Sequence, residues 1–138
     1  MEVIWFVVIV IVFGLALLWL IFKLSKKKKW FTEADREEIR LKFKEIDKLL
    51  EAGHNSQAVM HADKLTDHVL QKMNFKGNTM ADRMRDAESI VGGYYQDFWW
   101  AHKLRNQIVH EINIEIDEST ARKAIRVFRQ VVNKLKAV

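Results

Sequence analysis

The chain has 138 residues, with no cysteine and no proline, so disulfides and thiolate zinc sites are excluded and no helix carries a proline kink. Its net charge of +5 is unevenly spread. Residues 1–29 hold five lysines and one glutamate, whereas the rest hold 18 basic and 17 acidic side chains, a near-balance that argues against a broad nucleic-acid-coating surface.

Residues 3–22 carry no charged side chain, and twenty residues at about 1.5 Å rise each span the roughly 30 Å hydrocarbon core of a bilayer. Trp5 and Trp19 sit near the two ends of the run, where an indole places its ring in the acyl region and its N–H among headgroups. A secretory signal would need positive charge ahead of the apolar run and small residues at a cleavage site, and neither is present. Lys23 and then Lys26, Lys27, Lys28 and Lys29 flank the C-terminal side. That asymmetry predicts a single-pass anchor at residues 1–24 in the inner (cytoplasmic) membrane, with the N-terminus outside and the C-terminal domain cytoplasmic. Attraction to anionic lipid adds about 1 kcal/mol per basic residue near the surface. Residues 25–31 read as a basic juxtamembrane linker, in which Trp30 and Phe31 either rest at headgroup level or dock on the domain that follows.

Residues 32–138 read as one all-α domain, a bundle of four or five helices. Thr32 caps the first helix, whose Ile39, Phe43, Ile46 and Leu50 fall on one face, ending near Gly53. Ala58, Ala62, Leu65, Val69 and Met73 make the second stripe, closed by a turn at residues 74–78. Thr79, with Asp82 three residues on, resembles a capping box, and Met80, Met84, Ala87 and Val91 carry a short third helix to Gly92 and Gly93. The fourth helix is expected from about Tyr95 to Glu111, with Phe98, Ala101, Leu104 or Arg105, and Ile108 inward. Residues 112–116 alternate like a strand but cannot build a sheet alone, so an extended connector is expected. The fifth helix follows Asp117, Glu118 and Ser119 and buries Ala121, Ile125, Phe128, Val132 and Leu135.

The chemistry concentrates at the end of the fourth helix, in Leu104-Arg105-Asn106-Gln107-Ile108-Val109-His110-Glu111. Arg105, Asn106 and His110 form an Arg-polar-x3-His pattern, and here the chain resembles the HEPN superfamily of small helical bundles. The resemblance extends more loosely over residues 33–136 and leaves the anchor outside. It implies RNA or nucleotide binding, and in the family's nucleases metal-independent endoribonuclease activity of a toxin or defence type, with motifs from two protomers facing each other across a homodimer. Physically, forked Arg105 suits a phosphodiester, the His110 imidazole suits a general base or acid, and Asn106 can hold a sugar hydroxyl or the imidazole. No metal or cofactor is called for. Five residues advance about 140° around a helix, so Arg105 and His110 do not share a face, whereas Asn106 and His110 do. The structural alternative makes Arg105 an ion-pair partner of Glu45, Asp47 or Glu111 and His110 a helix C-terminal cap. The competing function is a non-catalytic membrane-tethered adaptor that dimerises and recruits a cytoplasmic protein partner.

Three lesser patterns complete the reading. Arg122, Arg126 and Arg129 lie at i, i+4 and i+7 on the last helix, a candidate phosphate-binding track or simply solvated surface. His54, His61 and His68 recur at seven residues, about 10.5 Å apart along the axis, too far to share one metal ion. His102, Asn106 and His110 recur at four, with His102 expected to pair with Asp97 or His110. Tyr94, Tyr95, Phe98, Trp99 and Trp100 encircle their helix, so some must find a second surface, a protomer interface being favoured over base stacking or the bilayer.

Overall fold

The computed structural model describes residues 1–24, 31–111 and 114–137. Lys26, Lys27, Lys28 and Lys29, together with Trp30, lie outside the described residues, as do residues 112 and 113 of the expected connector. Every described regular element is helical.

Helix α1 (Glu2–Leu24) contains a 19-residue segment, Val3–Ile21, with mean hydropathy 3.1 and none of it buried against the rest of the chain. It is long and apolar enough to cross a membrane, and large apolar side chains cover it on every face. The remaining helices behave in the opposite way, each turning one apolar stripe inward.

Helix α2 (Glu33–Glu51) starts at a full capping box: Thr32 Oγ1 accepts from the Asp35 backbone N–H, and Asp35 accepts back from the Thr32 N–H. Ile39, Phe43, Ile46 and Leu50 are its buried residues, as their spacing predicts. Phe31 is itself buried and lies under Lys72 Nζ, 5.6 Å from the ring centroid, so it belongs to the bundle and not to the linker. Its burial comes from α3 (Asn55–Lys72), whose last turn folds back over the start of α2. There Lys72 also pairs with Asp35.

Helix α3 is the hub, packing on α2, on α4 (Met80–Asp86), on α6 (Tyr95–His110) and on α7 (Glu118–Lys134). It buries Ala58, Val59, Ala62, Leu65, Val69 and Leu70, and with them Asp63 and Thr66. The Thr66 hydroxyl donates to the Ala62 carbonyl at 2.8 Å, which satisfies it inside the core. Asp63 has no such local solution and requires a tertiary partner.

The expected third helix is interrupted. Helix α4 ends at Asp86, α5 (Glu88–Val91) is a single turn, and a 3-10 turn at Gly92–Tyr94 leads into α6. The Ala87 N–H is shared between the Arg83 and Met84 carbonyls, which tightens the turn, and Gly92 adopts φ +59. The inward set of Met80, Met84, Ala87 and Val91 is kept across the break. On α6 the buried residues are Phe98, Ala101, His102 and Leu104, so Leu104 and not Arg105 faces the core. Helix α7, capped by Asp117, closes the bundle with a continuous apolar seam, and Phe128 meets Phe98 edge-on with centroids 6.1 Å apart.

Candidate functional site

A cleft of about 750 Å³ opens between α3, α4 and α6. Residues four apart on α3, Asp63 and Asp67, point into it, and each carboxylate holds an arginine from another helix or helix turn. Arg83 on α4 grips Asp67 with both prongs, Nε to Oδ1 at 2.8 Å and Nη2 to Oδ2 at 2.9 Å, while its Nη1 donates to the Gly77 carbonyl at 2.8 Å. Gly77 sits at φ +138, and a Cβ there would stand 2.2 Å from the Asp82 Cβ, so no other residue fits this floor of the cleft.

Asp63 is only 3 % exposed and bridges two residues of α6. Its Oδ1 lies 2.8 Å from His102 Nδ1, and its Oδ2 lies 3.3 Å from Arg105 Nε. The second contact is an attraction of charges without hydrogen-bond geometry, since Arg105 Nε, although buried, has no hydrogen-bond acceptor. Arg105 Nη1 donates to Asn106 Oδ1 at 2.9 Å, and the Asn106 amide nitrogen lies 3.4 Å from His102 Nε2. Asp63, His102, Asn106 and Arg105 thus form a closed ring. A carboxylate only accepts, so His102 must donate from Nδ1; Arg105 claims the Asn106 oxygen, so the amide nitrogen faces His102. In the neutral imidazole Nε2 is then an acceptor toward Asn106, and every member is held in one orientation.

The predicted trio is divided by this arrangement. Arg105 and Asn106 line the cleft, whereas His110 is the last residue of α6, exposed to solvent and not part of the wall. The cause is helical geometry: position 110 is turned about 140° from 105 and stands one turn beyond the ring. The structural alternative for Arg105 named the wrong carboxylates, because its partner Asp63 comes from α3. His102 likewise pairs with Asp63 and not with Asp97 or His110.

On α7, Arg122 is tied to Glu118 in its own helix, and Arg129 reaches Asp47 of α2 at 2.7 Å while lying 4.7 Å over the Phe43 ring. Arg126 is exposed with no carboxylate partner among the described residues. The track is therefore mostly neutralised by neighbours. The aromatics of α6 also find partners within the chain. Phe98 packs on Phe128, Trp99 makes edge contacts with Tyr95 and His102 beneath Arg85, and Lys123 lies 4.4 Å over Trp100. His61, which lines the cleft, and His68 are exposed on α3, His54 precedes its first turn without a side-chain capping bond, and among the described residues no group of His, Asp or Glu is arranged to hold a metal ion.

Asp63, Asp67, Arg83 and Lys64 escape notice in the sequence. The available signal is the pair of aspartates at i and i+4 bordering the Ala62-Leu65-Val69 stripe, the spacing that places two carboxylates on one flank of a helix.

No protein-family model matches this chain, and neither the curated proteins nor the solved structures include one with significant similarity to it.

Proposed function

We propose that this chain is a single-pass, membrane-anchored HEPN-like domain that binds RNA or a nucleotide in the cleft between α3, α4 and α6, with the bundle on the cytoplasmic face of the inner membrane. One observation carries the reading: Arg105 and Asn106, the motif residues suited to a phosphate, line a built cleft and are locked there by the buried Asp63 and His102. The lysines after α1 support the orientation, and the apolar length of α1 supports the anchor.

Cleavage is a narrower form of the same proposal. Within one chain His110 stands apart from the cleft, so a metal-independent endoribonuclease of toxin or defence type would be completed by a second copy that presents its own His110. A shared membrane tether favours such a homodimer by raising local concentration. The adaptor reading draws on a different observation, the exposure of Val109 beside His110, one turn beyond the ring on the same flank of α6, an apolar spot suited to a partner protein. The full chain in lipid nanodiscs, incubated with labelled RNA in EDTA, separates these readings. Retained RNA that is cut only when Arg105 and His110 are both present supports the nuclease. RNA retained but uncut supports a binding module, and no retention of RNA or nucleotide leaves the adaptor.

A further inference from the structure

The cleft has a character that distinguishes a nucleotide end from the middle of a strand. Its permanent cations are Lys64, Arg83 and Arg105, and its carboxylates Asp63 and Asp67, so one unit of positive charge is left over. Arg83 is consumed by Asp67 and the Gly77 carbonyl. Lys64 is exposed with no ion pair, and Arg105 Nη2 has no acceptor, both statements holding among the described residues. Lys64 and Arg105 thus bring unpaired donors to the same cleft. The lining also includes Met60 from α3 and Met80 from α4, soft apolar side chains of the kind that accept a flat ring. A following strand of RNA would need more cations in line, yet of the three arginines on α7 two, Arg122 and Arg129, are occupied by Glu118 and Asp47, which leaves Arg126 alone.

Resting on the reading that the ligand is RNA or a nucleotide, we infer that this cleft recognises a terminal phosphate monoester, with Lys64 and Arg105 on the phosphate and the attached nucleoside against Met60 and Met80. A monoester carries about −1.5 to −2 charge near neutral pH and three terminal oxygens, against one charge on an internal diester, so a compact donor pair discriminates in favour of the end. His102 is a positioning residue here: through Asp63 and Asn106 it holds Arg105 in the cleft wall.

The test uses the full chain in nanodiscs of zwitterionic lipid, with adenosine monophosphate, adenosine, inorganic phosphate, and one short RNA bearing either a 5′-phosphate or a 5′-hydroxyl. Removal of the phosphate is expected to weaken binding of both the mononucleotide and the RNA by about tenfold or more, because donors built for that group are left unpaired. Lys64→Met, at an exposed position that leaves folding intact, is expected to erase the difference between the two RNAs. Adenosine monophosphate binding more tightly than inorganic phosphate supports the methionine-lined nucleoside contact, whereas equal binding overturns that contact and the proposed ligand class while leaving a phosphate site. Equal affinity for the two RNAs, or affinity that climbs with strand length at a hydroxyl end, overturns the inference and keeps the proposed function. Binding to none of the ligands overturns both.

Discussion

The arginines of α7 and those of the cleft carry the same guanidinium and meet the same kind of partner, an aspartate or a glutamate, yet they end in different states. Arg122 and its Glu118 are both more than half exposed, and Arg129 and Asp47 are little better covered. Each such pair is a surface neutralisation that water and salt weaken, and it cancels the phosphate-tracking charge that a regular arginine spacing suggests. In the cleft Asp63 is buried while Arg105 is about a third exposed, so this carboxylate serves as an anchor that leaves the cation at the surface; in the other pair Arg83 is the buried member and is consumed by Asp67. What decides availability is the depth of the partner and not the identity of the cation.

That contrast makes ordered predictions about stability. Asp63→Ala removes the acceptor for both His102 and Arg105 and strands a buried imidazole N–H; unfolding in urea should show a loss of about 3 kcal/mol. Unchanged stability would mean the ring is not held by its carboxylate. Arg83→Met leaves Asp67 half-buried beside an unpaired Gly77 carbonyl and should cost about 2 kcal/mol, less than Asp63→Ala because water can reach Asp67. Reversal of that order in matched denaturation curves would contradict the role given to depth.

On α7 the effects shrink. Arg129→Met keeps apolar contact with Phe43 but loses an exposed ion pair and the cation over the ring, so a change of about 0.5–1 kcal/mol is expected, smaller in high salt. Asp35 provides a pH-dependent counterpart at the opposite end of the bundle. The Lys72 ammonium first, and then the Thr32 backbone N–H and hydroxyl, lower its pKa to about 2 from the usual 3.8. A depressed carboxylate stabilises the fold above its unfolded value and loses that contribution as pH falls, so wild type should lose its advantage over Asp35→Asn between about pH 4 and pH 2. A constant difference across that window, followed by thermal melts, would remove the Lys72 pairing. Arg122→Ala should leave the unfolding midpoint unmoved, since its partner is a solvated side chain on the same helix.

How much of this was legible along the chain depends on the range of the interaction. The Thr32 and Thr79 capping boxes, the turn at Asn74 with φ +60 and the inward faces of α2 and α7 are set by residues within four positions of each other, and each appears where the spacing puts it, while α7 starts at Glu118, ahead of the expected start after Ser119, because Asp117 caps it. The break at Ala87 was hidden because Met80, Met84, Ala87 and Val91 keep a helical rhythm straight through it. The site was half legible: Arg105 and Asn106 are neighbours and announce themselves, but their anchor Asp63 is 42 positions earlier.

The sequence by itself determined a helix of membrane-spanning length followed by a bundle of amphipathic helices, because hydropathy, capping and the 3.6-residue period are local properties. Only the tertiary structure decided which charges are spent and which remain free. The α3 packing against α6 and α4 sets Asp63 beneath Arg105 and Asp67 against the buried Arg83 and leaves His110 outside, since charge pairing acts across space between helices and no pattern along one helix encodes its partner.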